Sequence, residues 1–303
     1  MYVIITLLAL VATFFNPAVN ATLPTLLDEE DLLAANSVSW STGRFVQIIG
    51  SALALGVIET VGTELAFIFN AGTFFISGLL LLLLPIPPGT SVPTRGWQGF
   101  LADAKEGLAF TRQNQFVAQL VLIQAIASLS VGATSALLVV LAQDHYHLPP
   151  GGFGSFILAI GVGALLGPLL LGLVMRGRNG HPSWMFVPYI IRGVGDTLLA
   201  IVTTSPLAWL LLFIYGLNTS SGMVLYQTWV QRLVPNHMRG RVFTWLDVVW
   251  NITKVLSLGI GGWLAQQFGV EVVYYLGGIL LMLSGVYGSL ALRTIDFVSG
   301  RRE

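Results

Sequence analysis

Asp247, Trp250, Asn251 and Lys254 stand at positions i, i+3, i+4 and i+7 of an otherwise apolar stretch, so a helix would carry all four on one face. A charge near the centre of a bilayer costs at least ~2.5–3.5 kcal/mol on insertion scales, so a charged stripe of this kind needs a use. An acid, an indole, an amide and an ammonium in line could hold the polar part of a ligand, and the acid could also exchange a proton. Arg192 and Asp196 form a second charged set, spaced i,i+4 and close enough to neutralise each other. That spacing reads first as a structural pair. Gln124 and Ser128 make a neutral polar stripe in one apolar stretch, and Asn218 and Tyr226 make another. The expected cavity or coupling residues are therefore Asp247, Lys254, Trp250, Asn251, Gln124, Ser128, Asn218 and Tyr226. Each neutral one also has a plainer reading as a hydrogen-bond partner between helices.

Other chemistry has little support. The chain has no cysteine, so disulfides, thiolate catalysis and cysteine-based metal sites are excluded. All four histidines (His145, His147, His181 and His237) fall in loops, and the serines inside apolar stretches lack a base in plausible reach. No enzyme activity, metal or cofactor is expected. The formal net charge is zero, and nothing suggests nucleic acid as a partner. A Gly161-Val162-Gly163-Ala164-Leu165-Leu166-Gly167 string imitates a dinucleotide fingerprint, but its last spacing is one residue too long and it lies inside an apolar segment. Small residues that let membrane helices approach explain it better. Gly50 and Ala54, with Gly43, are expected to do the same in an earlier segment.

The elements that position these residues are nine apolar segments: 3–21, 45–58, 65–84, 116–141, 153–174, 185–203, 207–227, 243–265 and 272–292. The chain is 55% hydrophobic and 9% charged, where a soluble domain carries about 25% charged residues. Roughly 20 apolar residues as helix cross the hydrocarbon core, and only helices or closed barrels satisfy their own backbone there. The segments are too long and too continuously apolar for barrel strands. The expectation is an all-α, polytopic membrane protein with nine transmembrane helices.

If the chain threads back and forth, one set of loops and the tail hold Arg44, Arg95, Lys105, Arg112, Arg176, Arg178, Arg232, Arg239, Arg241, Arg293, Arg301 and Arg302. The opposite loops hold neither Lys nor Arg. The positive-inside rule assigns the basic set to the cytoplasm, which gives an extracytoplasmic amino end and a cytoplasmic carboxyl end in the cell membrane. The expected organisation is a partial N-terminal bundle of three spans (1–84), a cytoplasmic linker (85–115), a six-helix bundle (116–292) and a tail (293–303). The linker opens with Pro85-Ile86-Pro87-Pro88-Gly89, and Trp97 to Arg112 then reads as an amphipathic helix lying at the interface.

Several of these segments resemble the major facilitator superfamily, in particular its bacterial efflux branch of enterobactin-exporter-like and macrolide-efflux-like proteins. The residues that carry the resemblance are Phe15-Asn16-Pro17-Ala18 with Leu23-Pro24 and Ala35-Asn36, the glycine string around Gly163 with Arg176 and Arg178 beyond it, and Gln231-Arg232-Leu233-Val234-Pro235 followed by Arg239-Gly240-Arg241-Val242. The resemblance implies that the nine spans match helices four to twelve of a twelve-helix fold and that Pro235, Arg239, Gly240 and Arg241 belong to a family loop between helices ten and eleven. It also implies an exporter of a small amphipathic or hydrophobic compound that works by alternating access, with the lipid bilayer and a small-molecule substrate as partners and protons as a candidate coupling ion. Helices one to three have no counterpart, so a truncated non-transporting membrane protein, or a fragment of a longer transporter, is the first alternative. A membrane scaffold or membrane-embedded enzyme is the second.

Overall fold

The computed structural model describes residues 18–19, 22–28, 30–83, 96–149, 152–175 and 181–293, with backbone only at 47–48, 51–61, 63–64 and 96–104. Most of the first expected segment with Asn16 and Asn20, the stretch Pro85 to Gly89, Arg95, Arg176, Arg178, and Arg301 and Arg302 lie outside the described residues. Every regular element among the described residues is helical. The long helices are α1 (Leu32–Leu82), α2 (Gly96–Gln113), α3 (Gln115–Ala136), α4 (Phe153–Val174), α5 (Val187–Ile201), α6 (Ser205–Leu233), α7 (Asn236–Phe268) and α8 (Val270–Arg293).

Seven stretches among the described residues are long and apolar enough to cross a membrane, and they correspond to the third through ninth expected segments. The second segment (45–58) lies in the first arm of α1. That helix is two arms joined at Gly62, whose φ of 82° and ψ of 168° leave the helical region. A side chain would strain this backbone, so glycine permits the break. The expected loops are shorter than hydropathy implies. The polar run 228–242 is almost wholly helical, with only Val234 and Pro235 between α6 and α7. Polar residues past the hydrocarbon can remain helical, and Pro235 supplies the stop because it lacks the N–H that a continuous helix requires. Gly269, with φ of 91°, is the single residue between α7 and α8.

Helices α3 to α8 form a bundle in which α4 packs on α6, α5 on α8, and α3 on both α7 and α8, while α1 meets α4 and α6. Close approach depends on missing side chains. A Cβ at Gly163 would lie 2.0 Å from the Phe213 carbonyl oxygen, and one at Gly216 would lie 2.0 Å from that of Ile160. The glycine string of α4 thus brings its backbone against α6, as expected for membrane helices. Gly43 and Gly50 differ from expectation: no atom of another element lies within 4 Å of a Cβ built on either. Both are exposed.

Two apolar cores occupy opposite ends of the bundle. One gathers Phe116, Leu120, Ile123, Phe186, Leu225 and Leu246 near the end that carries Arg232, Arg239, Arg241 and Arg293, called the basic end below. The other gathers Leu138, Leu141, Phe156, Leu199, Leu212 and Tyr274. Between them, each of α3, α5 and α6 contributes buried polar residues: Gln124, Ser128 and Thr134; Arg192 and Asp196; Asn218 and Ser220. The surface carries Leu158, Leu173, Ile252, Trp263 and Leu283, which suits contact with lipid.

Candidate functional site

Four helices bring side chains together in the polar middle of the bundle. Gln124 of α3 is buried and accepts a hydrogen bond from the Tyr189 hydroxyl of α5 at 2.5 Å. Tyr226 of α6 stands beside Gln124, and Asp247 of α7 lies within electrostatic reach of Tyr226. Three expected residues (Gln124, Tyr226 and Asp247) therefore lie in one neighbourhood, with Tyr189 added. Asp247 is exposed at the group's edge and has no ion-pair partner among the described residues. A carboxylate, an amide and two phenols can accept and donate hydrogen bonds beside aromatic faces, a combination suited to a compound with both polar and apolar parts.

The rest of the α7 stripe continues along the open side. Trp250 is half-buried, whereas Asn251 and Lys254 are exposed. The Asn251 amide donates to the Asp247 carbonyl of its own helix at 2.8 Å. Lys254 forms no ion pair with Asp247, from which it is separated by two turns.

The other two expected cavity residues face neighbouring helices. Ser128 is fully buried and pairs with the Thr253 hydroxyl, joining α3 to α7. Asn218 donates to the Pro188 carbonyl and joins α6 to α5. Arg192 and Asp196 are both buried, with Nε and Oδ2 3.6 Å apart. Arg192 also donates to Ser135 at 3.2 Å and lies over the Tyr215 ring at 4.2 Å. The pair therefore binds α5 to both α3 and α6.

At the basic end the motif loop makes a dense set of contacts. Gln231 is completely buried in α6, and Arg239 donates to the Val234 carbonyl at 3.0 Å and to the Asn236 side chain. Those two bonds fasten the turn on either side of Pro235. Gly240 accepts from the Thr244 hydroxyl at 2.9 Å. Arg241 reaches Glu106 at 2.8 Å and so holds α2 against α7. Helix α2 is the amphipathic helix expected over Trp97 to Arg112, and a Cβ at its Gly107 would lie 2.9 Å from the Trp245 indole.

At the opposite end a π-helical turn, Leu141–His145, turns His145 between two acceptors, Glu271 at 3.1 Å and the Val202 carbonyl at 2.8 Å. Tyr146 donates to the Leu199 carbonyl at 2.8 Å, and burial pushes its phenol up to about 12.

The model of the Major Facilitator Superfamily matches residues 1–257 and 120–302. The chain belongs to that superfamily. It is a multi-pass membrane transporter of that superfamily and not an enzyme. Among its relatives, the multidrug efflux pump Tap of Mycolicibacterium fortuitum is 26% identical over 98% of this chain and 74% of its own length. Macrolide efflux protein A of Streptococcus pyogenes is 23% identical over 89% of this chain and 67% of its own. The crystal structure of a bacterial homologue of the iron transporter ferroportin, in an outward-facing state, superposes with a TM-score of 0.71 at 18% identity, covering 93% of this chain and 69% of that one. The superfamily fold accounts for the α3–α8 bundle and for helix α1 beside it.

Proposed function

We propose that this transporter exports a small amphipathic or hydrophobic compound by alternating access, with the compound held at the inner face of α3, α6 and α7. The observation that carries this reading is the group Gln124, Tyr189, Tyr226 and Asp247, contributed by four helices at one level of the bundle. Residues from separate helices that converge on one level can respond together when helices tilt, which a site on a single helix cannot do. Asp247 is the candidate proton carrier because it faces the open side without a cation beside it. Efflux pumps among the relatives support the outward direction.

The test is efflux of a lipophilic dye from cells that carry the chain. Asp247→Asn should reduce efflux at least tenfold while the amount of protein in the membrane stays within about 20% of the parent. Gln124→Ala should weaken apparent affinity more than maximal rate. Normal efflux by Asp247→Asn would remove that residue from the site. Loss of efflux with parallel loss of protein would make it structural.

A further inference from the structure

We infer that the Asn36 side chain is the positioning residue that holds α1 closed against the six-helix bundle at the basic end. Asn36 is 1% exposed, and its amide nitrogen donates both hydrogens across the interface, to the Thr228 hydroxyl at 2.9 Å and to Gln231 Oε1 at 2.7 Å. One turn along α1, the Trp40 indole donates to Gln227 Oε1 at 2.8 Å. Ser41 reaches the Leu165 carbonyl of α4 at 3.4 Å. All four bonds lie within Asn36 to Ser41, a length of about 8 Å along the helix.

Beyond Ser41 many of the described side chains are exposed. Phe45, Val46 and Ile49 are exposed, and Gly43 and Gly50 have open space around them. The four bonds thus gather near the Leu32 end of α1, and the described side chains from Phe67 to Leu83 are exposed.

The chemistry of the fastening suits a contact that must open as well as close. Amide–amide and amide–hydroxyl bonds each contribute about 1 kcal/mol net, and water can replace them when the interface parts. An ion pair buried in their place would leave two uncompensated charges on separation. Gln227, Thr228 and Gln231 belong to the last two turns of α6, and Tyr226 of the proposed substrate group directly precedes Gln227. Motion of α6 at the site would therefore be felt at the fastening. The inference rests on the transporter reading for its consequence, but its geometry stands apart from any substrate.

The chain has no cysteine, so single reporters can be placed without removing any. Ser37→Cys reports the interface, since Ser37 is 4% exposed and faces Gly172 of α4. Ser183→Cys, at a residue 2% exposed within the six-helix bundle at the same end, reports its folding. Labelling by a membrane-impermeant maleimide is followed in inside-out vesicles. Asn36→Ala and Gln231→Ala should each raise labelling of the Ser37 reporter at least tenfold and leave the Ser183 reporter unchanged. Trp40→Phe, a milder variant, should raise the first about threefold. The exchange Asn36→Gln with Gln231→Asn keeps two amides and the same number of methylenes across the interface, and should restore slow labelling.

Unchanged labelling of the Ser37 reporter in both alanine variants overturns the inference. So does equal opening of both reporters, which would make the amide a general element of stability. Labelling needs no substrate. A chain that shows this pattern yet exports no dye keeps the fastening and loses the proposed function.

Discussion

Arg192 Nε lies 3.6 Å from Asp196 Oδ2, a distance that forms an ion pair but not a hydrogen bond, and both side chains are at least nine-tenths buried. Arg192 has other partners in Ser135 and Tyr215, so removal of Asp196 leaves a buried guanidinium without its counter-charge. Breaking such a pair costs about 3–5 kcal/mol, whereas replacing both members with apolar residues is often neutral. Asp196→Ala should therefore lower the thermal midpoint in detergent markedly, and Arg192→Met with Asp196→Leu should recover most of the loss. The measurement is unfolding followed by size-exclusion chromatography after heating. A double variant as unstable as the single would mean that the charges hold α3 and α6 through contacts that apolar residues cannot replace.

Gly216 provides a separate test of packing. Its missing Cβ lets the Ile160 carbonyl approach, and Gly163 does the same for Phe213 on the facing helix. Backbone cannot move aside as a side-chain tip can, so Gly216→Val should force α4 and α6 apart at a cost of at least ~1–3 kcal/mol. Gly43→Val and Gly50→Val have open space and should be nearly silent in the same assay. Equal loss for all three would disprove the role of close α4–α6 contact.

Hydropathy located seven of the nine expected segments well because a membrane helix must be apolar over nearly its whole length. The charged residues in those segments were equally visible, since each is costly in lipid. What the pattern did not reveal was which polar residue meets which. Gln124, Ser128 and Asn218 look alike in sequence, yet each has a different partner: Gln124 meets Tyr189 of α5, Ser128 meets Thr253 of α7 and Asn218 meets Pro188 of α5. Tyr189 carries no such signal, because an aromatic residue is ordinary in an apolar segment. Thr228 and Gln231 are hidden for the opposite reason: they fall in the polar run 228–242 and read as loop, although α6 continues to Leu233, while Gln227 is the last residue of the segment 207–227. Asn36 and Gln231 did stand within the motifs that carried the family resemblance, but nothing in their spacing told that they touch.

Tyr146 gives a pH-dependent test outside the membrane-spanning segments. Its phenol donates to the Leu199 carbonyl, and burial raises its pKa from 10.0 to about 12. The neutral phenol is the form favoured by folding, so its contribution is complete below pH 10 and is lost as pH rises from about 10 to about 12. The parent should therefore lose stability across that window more steeply than Tyr146→Phe. At neutral pH the variant should be less stable by about 1 kcal/mol, the net value of one hydrogen bond. Parallel alkaline profiles for the two proteins would show that Tyr146 does not govern the loss.

The one-sided charge predicts which side of the membrane each end faces, and that prediction is open to direct test. Arg232, Arg239, Arg241 and Arg293 cluster at one end, and Lys and Arg are missing from the short connections at the other, 202–204 and Gly269. Cationic loops are retained on the cytoplasmic side during insertion, where anionic lipid also attracts them. His237 and Thr203 are exposed residues at the two ends, and neither side chain is needed for a helix cap. In the cysteine-free chain, His237→Cys should react with an impermeant maleimide only after the cytoplasmic face is opened to the reagent. Thr203→Cys should react in intact cells with the outer membrane, where there is one, made permeable. The reverse pattern would invert the topology, and with it the direction in which the Asn36 fastening closes. Labelling of both residues from both sides would mean that the chain inserts in two orientations, which the one-sided charge should prevent.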